Sequence, residues 1–144
     1  MTEPPRPQPV ILLVATEKSR RVLDAEFSSR YGRDYDVRVL TDVLTITDDA
    51  ASLIADGQPI ALIAVDFDLD IDAVDVLDVL RNVSPSSKRI VLTPFGSFQQ
   101  SLEALRPALA VGRLDTYLII PQGPRDEEFH TAIAEYLSEW ATST

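Results

Sequence analysis

The stretch Ile60-Ala61-Leu62-Ile63-Ala64-Val65-Asp66 decides the fold, because six apolar residues in succession end at one carboxylate. A continuous apolar run of this length is typical of a strand that is buried on both faces of a parallel sheet. The runs at residues 10–14 and 89–92 have a similar character. The sequence therefore predicts a central parallel sheet in which Asp66 lies where its strand ends.

Segments with helical spacing alternate with the apolar runs along the rest of the chain. The predicted strands span residues 10–14, 36–40, 60–65, 89–92 and 116–120, and the predicted helices span residues 16–30, 47–57, 73–82, 98–109 and 126–141. We expect Pro107 to kink or stop the fourth helix, since proline lacks the amide hydrogen that a helix needs. Five βα units favour the doubly wound, flavodoxin-like α/β fold, a three-layer sandwich with parallel strand order 2-1-3-4-5.

The length and composition of the chain are those of one globular domain. It has 144 residues, of which 45% are hydrophobic, so a single domain is expected over residues 10–141. The proline-rich residues 1–9 are expected to form a disordered leader rather than a signal peptide, and residues 142–144 a short tail. No apolar run approaches the ~20 residues that span a bilayer, so we expect no membrane association and a cytoplasmic location.

The charge and the residue types of the chain exclude several functions. A net charge of −10 repels nucleic-acid phosphates, so direct nucleic-acid binding is not expected. Without cysteine there is no thiolate metal site or thiol catalysis, and the single histidine, His130, offers little for a catalytic triad. No glycine-rich phosphate loop follows the first strand, which argues against a flavin or nucleotide cofactor. We therefore expect neither an enzyme nor a bound cofactor.

An acidic stretch that begins at the end of the third predicted strand raises the question of a calcium site. Its aspartates are Asp66, Asp68, Asp70, Asp72, Asp75 and Asp78. A loop begun at Asp66 places Ile71 and Leu77 where an EF-hand requires glycine and glutamate, so the pattern is not an EF-hand. We expect a solvated acidic loop and an exposed helix face, with no metal site.

Three residues near strand ends carry a resemblance to a known family. Asp66 ends the third apolar run, Thr93 follows the fourth, and Tyr117 lies in the fifth, ahead of Pro121. In this order and spacing they resemble the response-regulator receiver domains of bacterial two-component signalling. The resemblance implies that Asp66 is the phosphoacceptor, that Thr93 and Tyr117 are switch residues, and that the carbonyl of Asp68 contacts a divalent cation. It also implies a lysine before Pro121 and a peptide bond between them that is often cis.

The charged groups that the resemblance implies beside Asp66 are missing. The acid pair expected after the first strand reads Ala15-Thr16-Glu17, and the expected lysine is Ile120. Phosphoryl transfer depends on compensating the charge of the phosphoryl oxygens, and magnesium prefers charged oxygen ligands. We therefore expect an atypical receiver, or pseudo-receiver, with no metal at Asp66. Glu17 replaces the acid pair only if the loop shifts by one residue.

The carboxyl third of the chain carries a narrower resemblance. The segment Arg113-Leu114-Asp115-Thr116-Tyr117-Leu118-Ile119-Ile120-Pro121, followed by an acidic helix that closes on Trp140, is similar to the receiver domain found ahead of thioredoxin-reductase-like flavoproteins. The segment Arg30-Tyr31-Gly32 and the segment Pro59-Ile60-Ala61-Leu62 are similar to that group as well. The chain departs from the group at Ile120, at Gln122 in place of tryptophan, and at Asp70 where proline is usual.

The leading function that these residues support is a phosphorylation-independent receiver. We expect it to bind a protein partner, or to form a homodimer, through the surface of its fourth helix, fifth strand and last helix. The expected anchors are Tyr117, Tyr136 and Trp140, since aromatic side chains that become buried at an interface dominate its energetics.

Two other functions stay open. The first is a phospho-accepting receiver that uses Asp66, with Glu17 helping to bind magnesium. The second is a small-ligand sensor, in which a metabolite binds in the crevice, because Ala15 and Ile120 place uncharged side chains where charged ones were expected.

Overall fold

The computed structural model describes residues 8–121 and 127–143, in which strands and helices alternate. The strands are β1 (Val10–Val14), β2 (Asp36–Leu40), β3 (Ile60–Asp66), β4 (Lys88–Thr93) and β5 (Thr116–Ile119). The helices are α1 (Glu17–Tyr31), α2 (Ile46–Ala55), α3 (Ala73–Val83), α4 (Phe98–Ala110) and α5 (Glu127–Ser143). None of these described helices is long and apolar enough to cross a membrane. All neighbouring strands pair in parallel in the order β2-β1-β3-β4-β5, which confirms the predicted doubly wound fold.

Two apolar cores lie on the two faces of the sheet, because successive side chains of a strand point to opposite faces. In β1, Leu12 belongs to a core shared with α2, α3 and α4, whereas Ile11 belongs to a core shared with α1 and α5. Both β1 and β3 are buried along their whole length. This burial on both faces explains why their sequences are continuous apolar runs rather than alternating ones.

Helix α4 continues past Pro107 to Ala110, one residue beyond its predicted end, so of the expected kink or stop at the proline the stop is wrong. Leu105 and Ala108, on either side of the proline, are both buried in the core. Their packing holds the last turn of α4 although the proline removes one backbone hydrogen bond. The helix ends before Gly112, whose φ of 79° lies in the left-handed region that suits glycine.

Both ends of the described chain contact the rest of the fold or continue a helix. Residues 1–7 of the expected leader and Asp126 lie outside the described residues. The carbonyl of Pro9 accepts a hydrogen bond from the Asp36 amide at 2.8 Å, so the end of the expected leader joins the sheet. Helix α5 extends through Ser143, where a tail was expected from residue 142, and the Thr142 hydroxyl donates to the Ser138 carbonyl at 3.1 Å.

Candidate functional site

Asp66 and Thr93 lie side by side at the carboxyl edge of the sheet. Asp66 is the last residue of β3 and pairs with Leu92 of the neighbouring strand, so Thr93 is one residue further along β4. The loop after β1 reaches the same edge, because β1 and β3 are parallel neighbours. In doubly wound sheets, ligand sites lie outside this edge of the strands.

The Asp66 carboxylate is fully buried, at 0% exposure, and three neutral groups donate hydrogen bonds to it. Its Oδ2 accepts from the Thr16 hydroxyl at 3.2 Å and from the Thr16 amide at 3.4 Å. Its Oδ1 accepts from the Asp68 amide at 3.0 Å. The carboxylate also lies at the amino end of α1, where the helix dipole favours a negative charge. Backbone and hydroxyl groups thus stabilise the charge of Asp66.

Thr16 connects Asp66 to helix α1. Threonine is a favoured N-cap residue, and its hydroxyl oxygen accepts a hydrogen bond from the Ser19 amide at 3.2 Å. The same hydroxyl donates its proton to Asp66, so one side chain serves both the helix end and the carboxylate. Sequence reasoning treated Thr16 only as a neutral residue in an acidic position and missed this double role. The N-cap signal, a threonine directly before the first helical residue, was available in the sequence.

Glu17 does not take the position of the missing acid pair. It is the first residue of α1, its side chain is 76% exposed, and its closest charged contact is Arg20 at 3.8 Å. The loop therefore keeps the register in which Thr16, and not Glu17, contacts Asp66.

Apolar side chains line the α1 and α5 side of the crevice. Ala15 and Ile120 are both buried and belong to the same apolar core. The Ile120 amide donates to the Thr93 carbonyl at 2.9 Å, which continues the pairing of β4 and β5. The Thr93 hydroxyl donates to the Leu118 carbonyl at 3.4 Å, toward β5. Every described peptide bond is trans, including the one before Pro121.

The chain has two lysines, and the structure shows neither paired with Asp66. Lys18 is exposed in the first turn of α1. Lys88 begins β4, at the opposite edge of the sheet, and pairs with Glu139 at 3.2 Å.

The aspartates that follow Asp66 have structural contacts that the sequence did not indicate. Asp72 is the N-cap of α3 and accepts from the Val74 amide at 2.9 Å. Asp75 and Asp78 pair with Arg113 at 3.2 Å and 2.6 Å. In the part of the chain that the structure describes, no three acidic or histidine side chains come together to hold a metal ion.

The three expected interface aromatics differ in exposure. Trp140 is only 6% exposed and packs in the core between the sheet and α5, so its expected role as a surface anchor is corrected. The helical stripe that it shares with Ile133 and Leu137 faces the sheet, as such stripes usually do. Tyr136 is half-buried on α5, and Tyr117 packs partly against the opposite core, next to α4.

A buried polar cluster between α1 and α5 was missed by sequence reasoning. His130 is 4% exposed, and its Nε2 lies 3.0 Å from a Glu26 carboxylate oxygen while its Nδ1 lies 2.8 Å from the Tyr31 hydroxyl. Burial raises the pKa of Tyr31 to about 12. Arg30 and Glu127 pair beside the cluster at 2.6 Å, and this hydrogen bond lowers the pKa of Glu127. Nothing local in the sequence links α1 to α5, because the paired residues are about a hundred positions apart.

Solved receiver-domain structures share this fold over most of their length. The REC domain of AraT, a response regulator from Geobacillus stearothermophilus, matches with a TM-score of 0.67 and 19% identity, over 93% of this chain and 96% of that chain. The signal receiver domain of a putative Luxo repressor protein from Vibrio parahaemolyticus matches with a TM-score of 0.61 and 23% identity, over 94% and 95% of the two chains. An adenylate cyclase from Rhodopirellula baltica matches with a TM-score of 0.66 and 20% identity, over 94% and 92%.

These comparisons establish the fold. No protein-family model matches the chain, and no curated protein matches it in sequence. The structure has the receiver fold.

Proposed function

We propose that this chain is a receiver-like signalling module whose output does not depend on phosphorylation of Asp66. One observation carries the proposal: the Asp66 carboxylate is buried and hydrogen-bonded to the Thr16 hydroxyl, where a phospho-accepting site needs a second carboxylate. Without that charge, magnesium lacks the anionic oxygen ligands that it prefers.

The same arrangement disfavours phosphoryl transfer to Asp66. Such transfer relies on positive charge placed around the phosphoryl oxygens more than on covalent help from the protein. Ile120 supplies no ammonium group, and the Glu17 side chain is exposed and directed to Arg20. Asp66 acts in this proposal as a structural group that fixes the loop after β1 to the end of β3.

The output of the module is a protein contact, made through the surface of α4, β5 and α5. Tyr117 and Tyr136 remain the candidate anchors, since both are partly exposed. The partner is a second copy of this chain or another signalling protein, and a cytoplasmic, non-enzymatic role is part of the proposal. The narrower likeness to the receiver domain found ahead of thioredoxin-reductase-like flavoproteins stays a prediction from sequence. Two residues in the segment 113–121, on which that prediction rests, have contacts within the fold. Arg113 pairs with Asp78 of α3, and the Asp115 carboxylate accepts a hydrogen bond from the Arg89 amide at 2.7 Å.

The test compares wild type with Asp66→Asn. Intact-mass spectrometry after incubation with acetyl phosphate and magnesium should show no added phosphate on the wild-type chain. Tagged wild type and Asp66→Asn should recover the same partners in the same amounts. Asp68→Asn is the matched control, because it also removes one negative charge from the same edge but leaves the buried carboxylate in place.

A different result supports the phospho-accepting alternative. That result is a phosphate adduct on wild-type protein together with loss of a partner in Asp66→Asn and not in Asp68→Asn. A heteronuclear NMR spectrum of each variant establishes that its fold is intact.

A further inference from the structure

A cavity of about 390 Å³ opens between the loop that joins β3 to α3 and the carboxyl half of α4. Its lining residues are Phe67, Leu69, Asp70, Ile71, Asp72, Ala73, Val74, Ala104, Leu105, Pro107, Ala108 and Arg113. Asp66, Thr16 and Ile120 do not line it. The cavity is therefore a second site, next to the crevice at the end of β3 and separate from it.

The floor of the cavity is apolar. Ala73, Val74, Leu105 and Ala108 are all buried and belong to the core between the sheet and the helices α2, α3 and α4. Small side chains from both helices line it, Ala73 on α3 and Ala108 on α4. A volume of this size is within the range of small-molecule sites, which are mostly apolar with a few polar groups at defined positions.

The mouth of the cavity carries uncompensated negative charge. Asp70 and Asp72 are exposed on the loop side, and neither forms an ion pair with any described residue. Arg113 also lines the cavity, but its guanidinium is already paired with Asp75 and Asp78 at 3.2 Å and 2.6 Å. The net charge of −10 on the whole chain adds to the negative potential at the mouth.

We propose that this cavity binds a small amphipathic organic cation, an amine on a compact apolar body. The apolar body occupies the space between Ala73, Leu105 and Ala108, and the ammonium group remains at the mouth beside Asp70 and Asp72. Anions of the same shape are repelled by these two carboxylates. The occupant is a small molecule, because a stable protein interface covers about 800 Å² on each partner, far more than the mouth of a cavity of this size.

The binding does not involve Asp66 and does not rest on the signalling role proposed above, so the two proposals fail or succeed separately. The occupant is nevertheless placed to influence the edge of the sheet. Leu69 lines the cavity, and its amide lies 3.4 Å from the Asp66 carbonyl.

Three probes of similar shape and different charge test the proposal: phenethylamine, 2-phenylethanol and phenylacetate. Each is titrated into the 144-residue chain while backbone amide shifts are followed by heteronuclear NMR. We expect phenethylamine to give saturable shifts in residues 69–74 and 104–108, the alcohol to bind more weakly, and phenylacetate to leave these amides unchanged.

Variants identify the groups responsible. Asp70→Asn and Asp72→Asn should each weaken phenethylamine binding about fivefold, the effect of one charge a few ångströms away in water. Asparagine is also a good N-cap, so Asp72→Asn keeps the start of α3. Asp48→Asn, on α2, removes the same charge at a residue that does not line the cavity and should leave the affinity unchanged. Ala104→Trp, which fills the mouth from α4, should abolish the saturable shifts.

Three results overturn the proposal. The first is no saturable shift with phenethylamine, and the second is equal binding of phenylacetate at the same amides. The third is weakening by Asp48→Asn as large as that by Asp70→Asn, which means that the amine responds only to the overall charge of the chain.

Discussion

Replacing Thr16 with alanine removes two hydrogen bonds at the amino end of α1, and each has a separate cost. The hydroxyl oxygen accepts from the Ser19 amide as the N-cap of the helix, and loss of such a cap typically costs about 1 kcal/mol. The hydroxyl proton is donated to the buried Asp66 carboxylate, and a hydrogen bond to a charged group contributes about 1.5–3 kcal/mol. We expect Thr16→Ala to lower the free energy of unfolding by about 2.5–4 kcal/mol.

Urea denaturation measures this loss, and two further variants separate its parts. Thr16→Ser keeps both hydrogen bonds, so its free energy of unfolding should stay within about 0.5 kcal/mol of wild type. In an Asp66→Ala background the hydroxyl has no carboxylate to bind, so Thr16→Ala should cost only the cap, about 1 kcal/mol. If Thr16→Ala costs the same with and without Asp66, the bond from hydroxyl to carboxylate contributes nothing and the description of the site is wrong.

Two more predictions concern the helices α1 and α5. Trp140→Ala should lower the free energy of unfolding by about 3–5 kcal/mol, because it empties a buried site. Tyr136→Ala should lower the free energy of unfolding by less, because Tyr136 is only half-buried. If urea denaturation shows an equal or smaller loss for Trp140→Ala than for Tyr136→Ala, the burial of Trp140 is contradicted. Tyr31→Phe tests the polar cluster around His130. Because the folded pKa of Tyr31 is raised from 10.0 to about 12, wild-type stability from this group is complete below pH 10.0 and is lost as the pH rises toward about 12. The free energy of unfolding, measured across that pH range, should fall less steeply for Tyr31→Phe than for wild type. Parallel plots of this free energy against pH for the two proteins would contradict the role of burial.

The strands were predictable because the central ones are buried on both faces. Each then reads as a continuous apolar run, and the order of the runs, with helices between them, leaves few topologies. The placement of Asp66 and Thr93 at one edge follows directly, since parallel strands bring their carboxyl ends together. The sequence predicted a fourth helix to residue 109 but also a kink or stop at Pro107. It could not decide between them, because the outcome depends on the packing of Leu105 and Ala108.

Side-chain partners were less accessible to sequence reasoning. The double role of Thr16 requires the start of α1 to lie beside the end of β3, and the two residues in contact are 50 positions apart in the sequence. The cluster of His130 with Glu26 and Tyr31 joins the first and last helices in the same way. Trp140 is buried because it lies on the face of α5 that packs against the sheet. Residue type alone does not show on which face a residue near the end of a helix lies.

A magnesium and beryllofluoride titration of the wild-type chain, followed by heteronuclear NMR, tests the central claim most directly, since beryllofluoride mimics a phosphoryl group on a carboxylate. Thr16→Asp is the matched comparison, because it places a second carboxylate beside Asp66 and should bind magnesium. We expect wild-type amides around Asp66 and Thr93 not to shift at millimolar magnesium, with or without beryllofluoride, and those of Thr16→Asp to shift with magnesium. Saturable, magnesium-dependent shifts at Asp66 and Thr93 in the wild-type chain would contradict it.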